Sequence, residues 1–224
     1  TMEQRFLKKE NNPHLLLFFA GWGADEHLFN LSVAEGYDYL LCFDYRSLTF
    51  DYTLLAGYRS IRLLAWSMGV WAASQVFGGK NFPWERRIAV NGTPLPIDDN
   101  LGIPEAVFAG TLNNFSESTL VRFRRRMCGT AAEVKRFLAH EPYRSVESLH
   151  EELSVLQTMV RQSQESAFGW DEAVVGGNDK IFLPGNQQRY WLGKATVRMR
   201  DMEHYDDDFF AACIGGKEAI WTKD

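Results

Sequence analysis

The 224-residue sequence predicts an α/β protein with a mostly parallel central sheet flanked by helices and a helical insertion. Three observations support this fold class. Short apolar runs without polar alternation recur in the first 100 residues, which is typical of strands buried on both faces. Helix-like segments separate these runs, and strands that alternate with helices form parallel sheets. The stretch 101–164 holds helical patterns and no convincing strand.

Four apolar runs predict the first strands. They are HLLLFFA (14–20), DYLLCFDY (38–45), SIRLLAW (60–66) and RRIAVNG (86–92). The first run leads directly into the turn-rich GWGADEH. The segment MGVWAASQVFGG (68–79) predicts a helix, because it ends in glycines and glycine commonly follows the last helical residue.

The middle and last parts of the chain differ in pattern. SESTLVRFRRRM (116–127) and SVESLHEELSVLQTMVRQ (145–162) predict helices, because their apolar residues recur three and four positions apart. Strand patterns return in DEAVVGGNDKIFLP (171–184) and KATVRMRDMEHY (194–205). The predicted organisation is a core of residues 1–100 and 165–224 that carries a helical cap of residues 101–164.

The composition argues against several classes of function. Hydrophobic residues make up 46% and the net charge is −5, so nothing suggests a nucleic-acid partner. Three scattered cysteines without a C-x-x-C pair disfavour disulfides and structural zinc and favour a reducing cytoplasm. We see neither a signal peptide nor an apolar run long enough to span a membrane. We expect a cytoplasmic protein without metal or cofactor; its oligomeric state stays open, with a monomer preferred.

The stretch LLAWSMGVWAA (63–73) predicts a catalytic nucleophile at Ser67. A nucleophile elbow places a serine on a tight turn between a strand and a helix, with small residues two positions before and after it. Ala65 stands where glycine is more usual, and Gly69 occupies the other position. The alternative is an incidental serine in a strand-to-helix turn, and this short pattern alone does not exclude it.

A catalytic serine needs a base, and the base needs an orienting carboxylate. In this arrangement the order along the chain is serine, acid, histidine. His204 follows both Ser67 and a late strand pattern, and Asp179 lies in a glycine-rich turn after the preceding strand pattern. We therefore predict Asp179 as the acid and His204 as the base. The alternatives are His27 as base and Asp98, Asp99 or Asp171 as acid.

Two backbone N–H groups would stabilise the oxyanion of a tetrahedral intermediate. One donor follows the nucleophile, which makes it the N–H of Met68. The other comes from the turn after an earlier strand, where the glycines of GWG (21–23) leave the backbone able to turn the Trp22 N–H inward. The alternative for GWG is a plain turn beside a buried tryptophan.

The segments FAGWG, CFDY, LLAWSMGVW, AVNGTPLPIDD, GIPEAVFAGTL, DKIFLPGNQQRYW and EHY resemble the BioG type of pimeloyl-acyl-carrier-protein methyl ester esterase, within the α/β-hydrolase fold. The resemblance covers nearly the whole chain. It implies hydrolysis of the methyl ester at the end of a pimeloyl chain carried on acyl-carrier protein, in biotin biosynthesis. It also implies the triad and the oxyanion donors named above.

The resemblance implies a role for a cluster of arginines. Arg122, Arg125 and Arg126 are three and four positions apart, so a helix places them on one face. We expect this face to bind the acidic carrier protein, although a solvated charged face is the ordinary alternative. Trp22 and Phe123 are expected to contact the acyl chain, with Phe108, Phe115 and Leu120 as further candidates.

Three other functions stay open. A thioesterase for acyl carriers and a carboxylesterase for small esters would use the same triad. A non-catalytic binding protein would keep the fold while Ser67 is unreactive.

Overall fold

The computed structural model describes residues 1–223 and contains a seven-stranded sheet in the order β1-β3-β2-β4-β5-β6-β7. Strands β2 to β7 pair in parallel, and β1 pairs antiparallel with β3. This confirms the predicted fold class. The strands are β1 Glu3–Lys8, β2 His14–Phe19, β3 Tyr37–Phe43, β4 Ser60–Trp66, β5 Trp84–Val90, β6 Glu172–Gly176 and β7 Thr196–Arg200.

Eight α-helices accompany the sheet in this part of the chain. They are α1 Glu26–Phe29, α2 Met68–Phe77, α3 Glu105–Leu112, α4 Glu117–Cys128, α5 Ala131–Leu138, α6 Val146–Gln162, α7 Pro184–Trp191 and α8 Asp207–Ile214. Helices α3 to α6 all lie between β5 and β6 in the sequence, where we expect the cap. Among residues 1–223, no helix combines the length and the apolar composition that crossing a membrane requires.

The central strands form where the sequence is continuously apolar. Five of the six residues of β2 and all seven of β3 are buried, because helices cover both faces of the parallel sheet. The sequence patterns do not predict β1, since its sequence EQRFLK is mixed and its side chains are mostly half-buried. It pairs with β3 at the edge of the sheet and needs only one covered face.

The parallel register brings the ends of the strands to one edge. Phe19 of β2 pairs with Ala65 of β4, and Val90 of β5 pairs with Trp66 of β4 and Val174 of β6. The chain therefore leaves β2, β4, β5 and β6 at nearly the same level. Loops at the carboxyl edge of a parallel sheet form the binding site in folds of this kind.

Candidate active site

Ser67 lies on a sharp turn between β4 and α2. Its backbone has φ 60° and ψ −125°, a conformation that residues other than glycine rarely adopt. The Ser67 N–H donates to the Val90 carbonyl at 3.0 Å, and the Ser67 carbonyl accepts from the Val70 N–H at 3.0 Å. The turn is thus tied to β5 on one side and to α2 on the other, as a nucleophile elbow requires.

Small residues surround this turn because backbone segments approach one another closely there. A Cβ atom on Gly69 would lie 2.2 Å from the Phe19 carbonyl oxygen, and one on Gly92 would lie 2.3 Å from the Ser67 carbonyl oxygen. Side chains at these two positions would force the backbone apart. Ala65 is fully buried within β4, so the strand accommodates its methyl group where other elbows have glycine.

The structure brings the three predicted triad residues together. His204 Nε2 lies 3.0 Å from Ser67 Oγ, and His204 Nδ1 lies 2.8 Å from Asp179 Oδ2. Asp179 and His204 are both almost fully buried. With the Asp179 carboxylate accepting from Nδ1–H, Nε2 is left with a lone pair that faces the Ser67 hydroxyl. This arrangement can remove a proton from Ser67.

The Asp179 carboxylate is fixed by the loop that connects β6 to α7. Its Oδ1 accepts from the backbone N–H groups of Ile181 and Phe182, at 2.8 and 3.0 Å. Its Oδ2 accepts from Gln187 Nε2 at 3.1 Å in addition to His204. These donors hold the carboxylate in the orientation that meets the imidazole.

The alternative acids and base have other contacts. Asp171 forms an ion pair with Arg87 at 3.0 Å. Asp98 accepts backbone N–H groups of nearby loop residues, and Asp99 accepts the N–H of Glu105 at the start of α3. His27 Nδ1 lies 3.1 Å from Asp25 Oδ2 at the start of α1. None of these contacts involves Ser67.

Asn91 holds the histidine loop, and the sequence patterns do not reveal this role. Its side-chain amide donates to the Glu203 and His204 carbonyls at 3.0 Å, and its Oδ1 accepts from the Gly176 N–H at 2.7 Å. The Trp66 indole N–H also donates to the His204 carbonyl, at 3.0 Å. The local sequence places Asn91 near the end of the predicted strand run RRIAVNG and gives no indication of partners more than 80 residues away.

An apolar pocket opens beside Ser67 and His204. Its lining includes Ile103, Val107, Phe108, Phe123, Met127 and Leu153. Three of the predicted acyl-chain residues, Trp22, Phe108 and Phe123, line the pocket. Leu120 lines a neighbouring cavity, and Phe115 packs edge-on against the Trp22 ring.

The two predicted oxyanion donors belong to the wall of the same pocket. Gly21, Trp22, Ser67 and Met68 all line it. A Cβ on Gly21 would lie 3.2 Å from Ser67 Cβ, so the turn passes close to the serine. Within residues 1–223, neither the Trp22 nor the Met68 backbone N–H has a hydrogen-bond acceptor. Both groups are therefore available to a ligand.

Three arginines are exposed along α4, as the spacing predicts. Arg122, Arg125 and Arg126 pair with no carboxylate in the described part of the chain, whereas Arg124 is buried and pairs with Glu141 at 2.7 Å. Arg126 differs from the other two. Its guanidinium donates to the Lys180 carbonyl at 3.2 Å, and its side chain lines the pocket.

One group of metal-type ligands occurs among the described residues, and protein contacts account for it. Asp25, Glu26 and His27 lie together at the start of α1. Asp25 accepts the His27 backbone N–H as a helix cap and also the Tyr143 N–H at 2.7 Å, while Glu26 pairs with Arg5. These contacts do not involve Ser67.

Comparisons with known proteins identify relatives of this chain. The family model described as pimeloyl-ACP methyl esterase BioG matches residues 2–213. A Bacteroides fragilis protein named malonyl-[acyl-carrier protein] O-methyltransferase is 49% identical over 193 residues, which are 86% of this chain and 39% of that protein. This chain therefore spans well under half of that relative. An uncharacterized Haemophilus influenzae protein is 44% identical over 194 residues, 86% of this chain and 88% of that protein.

Solved structures show the same relationship. The crystal structure of BioG from Haemophilus influenzae superimposes with a TM-score of 0.87 at 40% identity, covering 95% of this chain and 99% of that one. An esterase from Exiguobacterium antarcticum has a TM-score of 0.69 at 13% identity, covering 96% and 95%, and shares the fold. The chain has the α/β-hydrolase fold and belongs to the BioG family.

Proposed function

We propose that this chain is a serine esterase that hydrolyses pimeloyl-[acyl-carrier protein] methyl ester to pimeloyl-[acyl-carrier protein] and methanol, in biotin biosynthesis. The observation that carries the proposal is the continuous hydrogen-bonded series from Ser67 through His204 to Asp179 beside an apolar pocket. Membership of the BioG family supports the substrate. Ester cleavage at this site proceeds in two half-reactions.

In the first half-reaction, Ser67 Oγ attacks the carbonyl carbon of the methyl ester while His204 Nε2 takes the hydroxyl proton. The backbone N–H groups of Trp22 and Met68 bind the resulting oxyanion. Loss of one such donor typically raises the barrier by about 3 kcal/mol. The intermediate collapses as His204 gives its proton to the methoxide oxygen. Methanol leaves, and the pimeloyl group stays bound to Ser67 as an ester.

In the second half-reaction, a water molecule attacks the acyl-enzyme carbonyl while His204 Nε2 takes one of its protons. The second tetrahedral intermediate collapses and returns that proton to Ser67 Oγ. The product carries a free carboxyl group at the end of the acyl chain. Asp179 stabilises the imidazolium in both half-reactions and keeps the proton on Nδ1 throughout.

The pocket suits a chain of methylene groups. Phe108, Phe123 and Leu153 cover its wall with apolar surface. Each methylene transferred from water to such a surface contributes about 0.8 kcal/mol to binding. The reacting end of the substrate is the methyl ester, so the methylene chain extends away from Ser67 and the carrier remains outside.

The exposed arginines of α4 supply a surface for the carrier. Acyl-carrier proteins are acidic, and Arg122 and Arg125 offer cationic groups without carboxylate partners in residues 1–223. The name of the Bacteroides relative supports carrier chemistry of a related kind, since it describes methyl transfer to a carrier-bound acid. A methyl ester on a carrier is what such a transfer produces and what this site would remove.

The decisive experiment incubates the protein with pimeloyl-[acyl-carrier protein] methyl ester and follows the mass of the intact carrier. We expect the carrier to lose the mass of one methylene as the methyl ester becomes an acid, with release of methanol. The Ser67→Ala variant should leave the substrate intact. Release of the pimeloyl chain from the carrier would instead establish a thioesterase.

Labelling with a fluorophosphonate separates an enzyme from a binding protein of the same fold. A Ser67 activated by His204 should form a covalent adduct that the Ser67→Ala variant lacks. Absence of an adduct on the folded wild-type protein would favour the non-catalytic alternative.

A further inference from the structure

The turn that carries Trp22 is hydrogen-bonded to the helix α6. The Trp22 indole N–H donates to the Leu149 carbonyl at 2.9 Å, and the Gly23 backbone N–H faces Glu152 Oε1 at 3.4 Å. Both acceptors belong to α6, about 130 residues away in the sequence. The Trp22 side chain and the Gly23 backbone are therefore held by the helical segment and not by the sheet alone.

The Glu152 carboxylate is fully buried and accepts from three donors. Oε2 accepts from the Tyr45 N–H at 2.9 Å, and Oε1 accepts from Arg144 at 2.5 Å in addition to Gly23. Burial raises the pKa of Glu152, while Arg144 and the Tyr45 N–H oppose that shift by stabilising the ionised form. Burying a charged carboxylate costs folding free energy, and the apolar residues of α6 already provide packing contacts for this helix.

Tyr45 gives Glu152 a second connection to the same turn. Its hydroxyl donates to the Ala20 carbonyl at 2.5 Å, and Ala20 immediately precedes Gly21. Glu152 thus contacts the turn directly at Gly23 and, through Tyr45, at its start. The Trp22 N–H lies between these two points.

We propose that Glu152 is a positioning residue that holds the turn of residues 20–23 so that the Trp22 backbone N–H faces the ester oxyanion. This inference rests on the proposed esterase function. Its consequence is that the helical segment forms part of the catalytic machinery, because α6 supplies both acceptors that fix the oxyanion hole. Displacement of α6 would leave the triad intact and remove one oxyanion donor from its place.

The test is Glu152→Gln, which keeps the shape of the side chain. An amide has one acceptor oxygen, so Gln cannot accept from both the Gly23 and the Tyr45 N–H groups and also from Arg144. With a small ester as substrate, we expect kcat to fall roughly 10- to 100-fold and KM to change less than about threefold. A trifluoromethyl ketone, which forms an oxyanion on Ser67, should lose affinity by the same factor as kcat/KM. The matching methyl ketone, which binds without forming that adduct, should not.

Glu147→Gln is the matched control. It makes the same chemical change on an exposed side of α6. Its kcat and its ketone affinity should equal those of the wild type.

Trp22→Phe provides a second test if Glu152→Gln does not fold. It removes the indole donor to Leu149 and keeps the backbone N–H, and we expect the same fall in kcat and in trifluoromethyl ketone affinity.

The outcomes separate the two proposals. If Glu152→Gln folds and retains the wild-type kcat and ketone affinity, the positioning role is wrong and the esterase function stands. If the wild type shows no ester cleavage that depends on Ser67, the proposed function fails and this inference fails with it. A fall in kcat without a fall in ketone affinity would also overturn the positioning role.

Discussion

At the scale of single residues, Asp179 offers each carboxylate oxygen to a different set of donors. Oδ1 accepts from two backbone N–H groups, and Oδ2 accepts from Gln187 and His204. An asparagine here would keep its carbonyl oxygen toward the backbone donors and turn its NH₂ group toward His204 Nδ1. The imidazole would then carry its proton on Nε2, where it can no longer accept the proton of Ser67.

We therefore expect Asp179→Asn to lower kcat for a small ester by about 10⁴-fold while the protein stays folded. Steady-state kinetics and circular dichroism measure the two effects. Asp171→Asn is the control, because Asp171 pairs with Arg87 and not with the histidine. A loss of less than about tenfold in Asp179→Asn would show that another group orients His204.

The order of residues predicted Ser67, Asp179 and His204 because a triad on this fold follows a fixed sequence of loops. Asn91 and Glu152 could not be found in this way. The loop residues that they hold lie between 85 and 129 residues away, at Gly176, His204, Tyr45 and Gly23. No local pattern distinguishes an asparagine in a turn, or a glutamate on an amphipathic helix, from one that holds a catalytic loop.

At the scale of elements, two helical glycines should respond in opposite ways to substitution. A methyl group on Gly69, in the first turn of α2, would meet the Phe19 and Ala20 carbonyl oxygens at 2.2 and 2.5 Å. Gly110 in α3 is exposed, and a methyl group placed there would have nothing within 4 Å of it. The close contacts at Gly69 involve backbone and cannot be relieved by a change of rotamer.

We expect Gly69→Ala to lower the free energy of unfolding by about 1–3 kcal/mol, because α2 must move away from β2. Gly110→Ala should raise it by about 0.5–1 kcal/mol, since alanine loses less backbone entropy in a helix. Urea unfolding of the two variants beside the wild type measures both effects. Equal stabilities would mean that α2 shifts at no cost.

Sequence patterns predicted the strands that are covered on both faces. The runs at 14–20 and 60–66 match β2 and β4 closely, because most positions in such strands are buried and apolar. Strand β1 lacks this constraint, and its mixed pattern of charged and apolar residues gives no strand signal. Helix α1 is only four residues long and has too few turns for periodicity to show. The division into core and cap stays a prediction.

At the scale of the whole molecule, the protein and its proposed carrier partner both carry net negative charge and repel each other. The net charge is −5, and an acyl-carrier protein is also acidic. Screening limits the reach of each charge to about 8 Å at physiological salt, so a local cationic surface decides the encounter. Arg122 and Arg125 on α4 are exposed and provide such a surface.

We expect the double variant Arg122→Glu, Arg125→Glu to lower kcat/KM for the carrier-bound methyl ester by at least about tenfold at low salt and to spare a small ester. Arg126 is left in place because it lines the pocket and binds the Lys180 carbonyl. The control is Lys135→Glu, Arg161→Glu, which changes the net charge equally at exposed positions on α5 and α6. Wild-type kcat/KM for the carrier substrate should fall as salt rises, and the α4 variant should lose that dependence. Equal losses in both double variants would show that net charge, and not the α4 surface, governs recognition of the carrier.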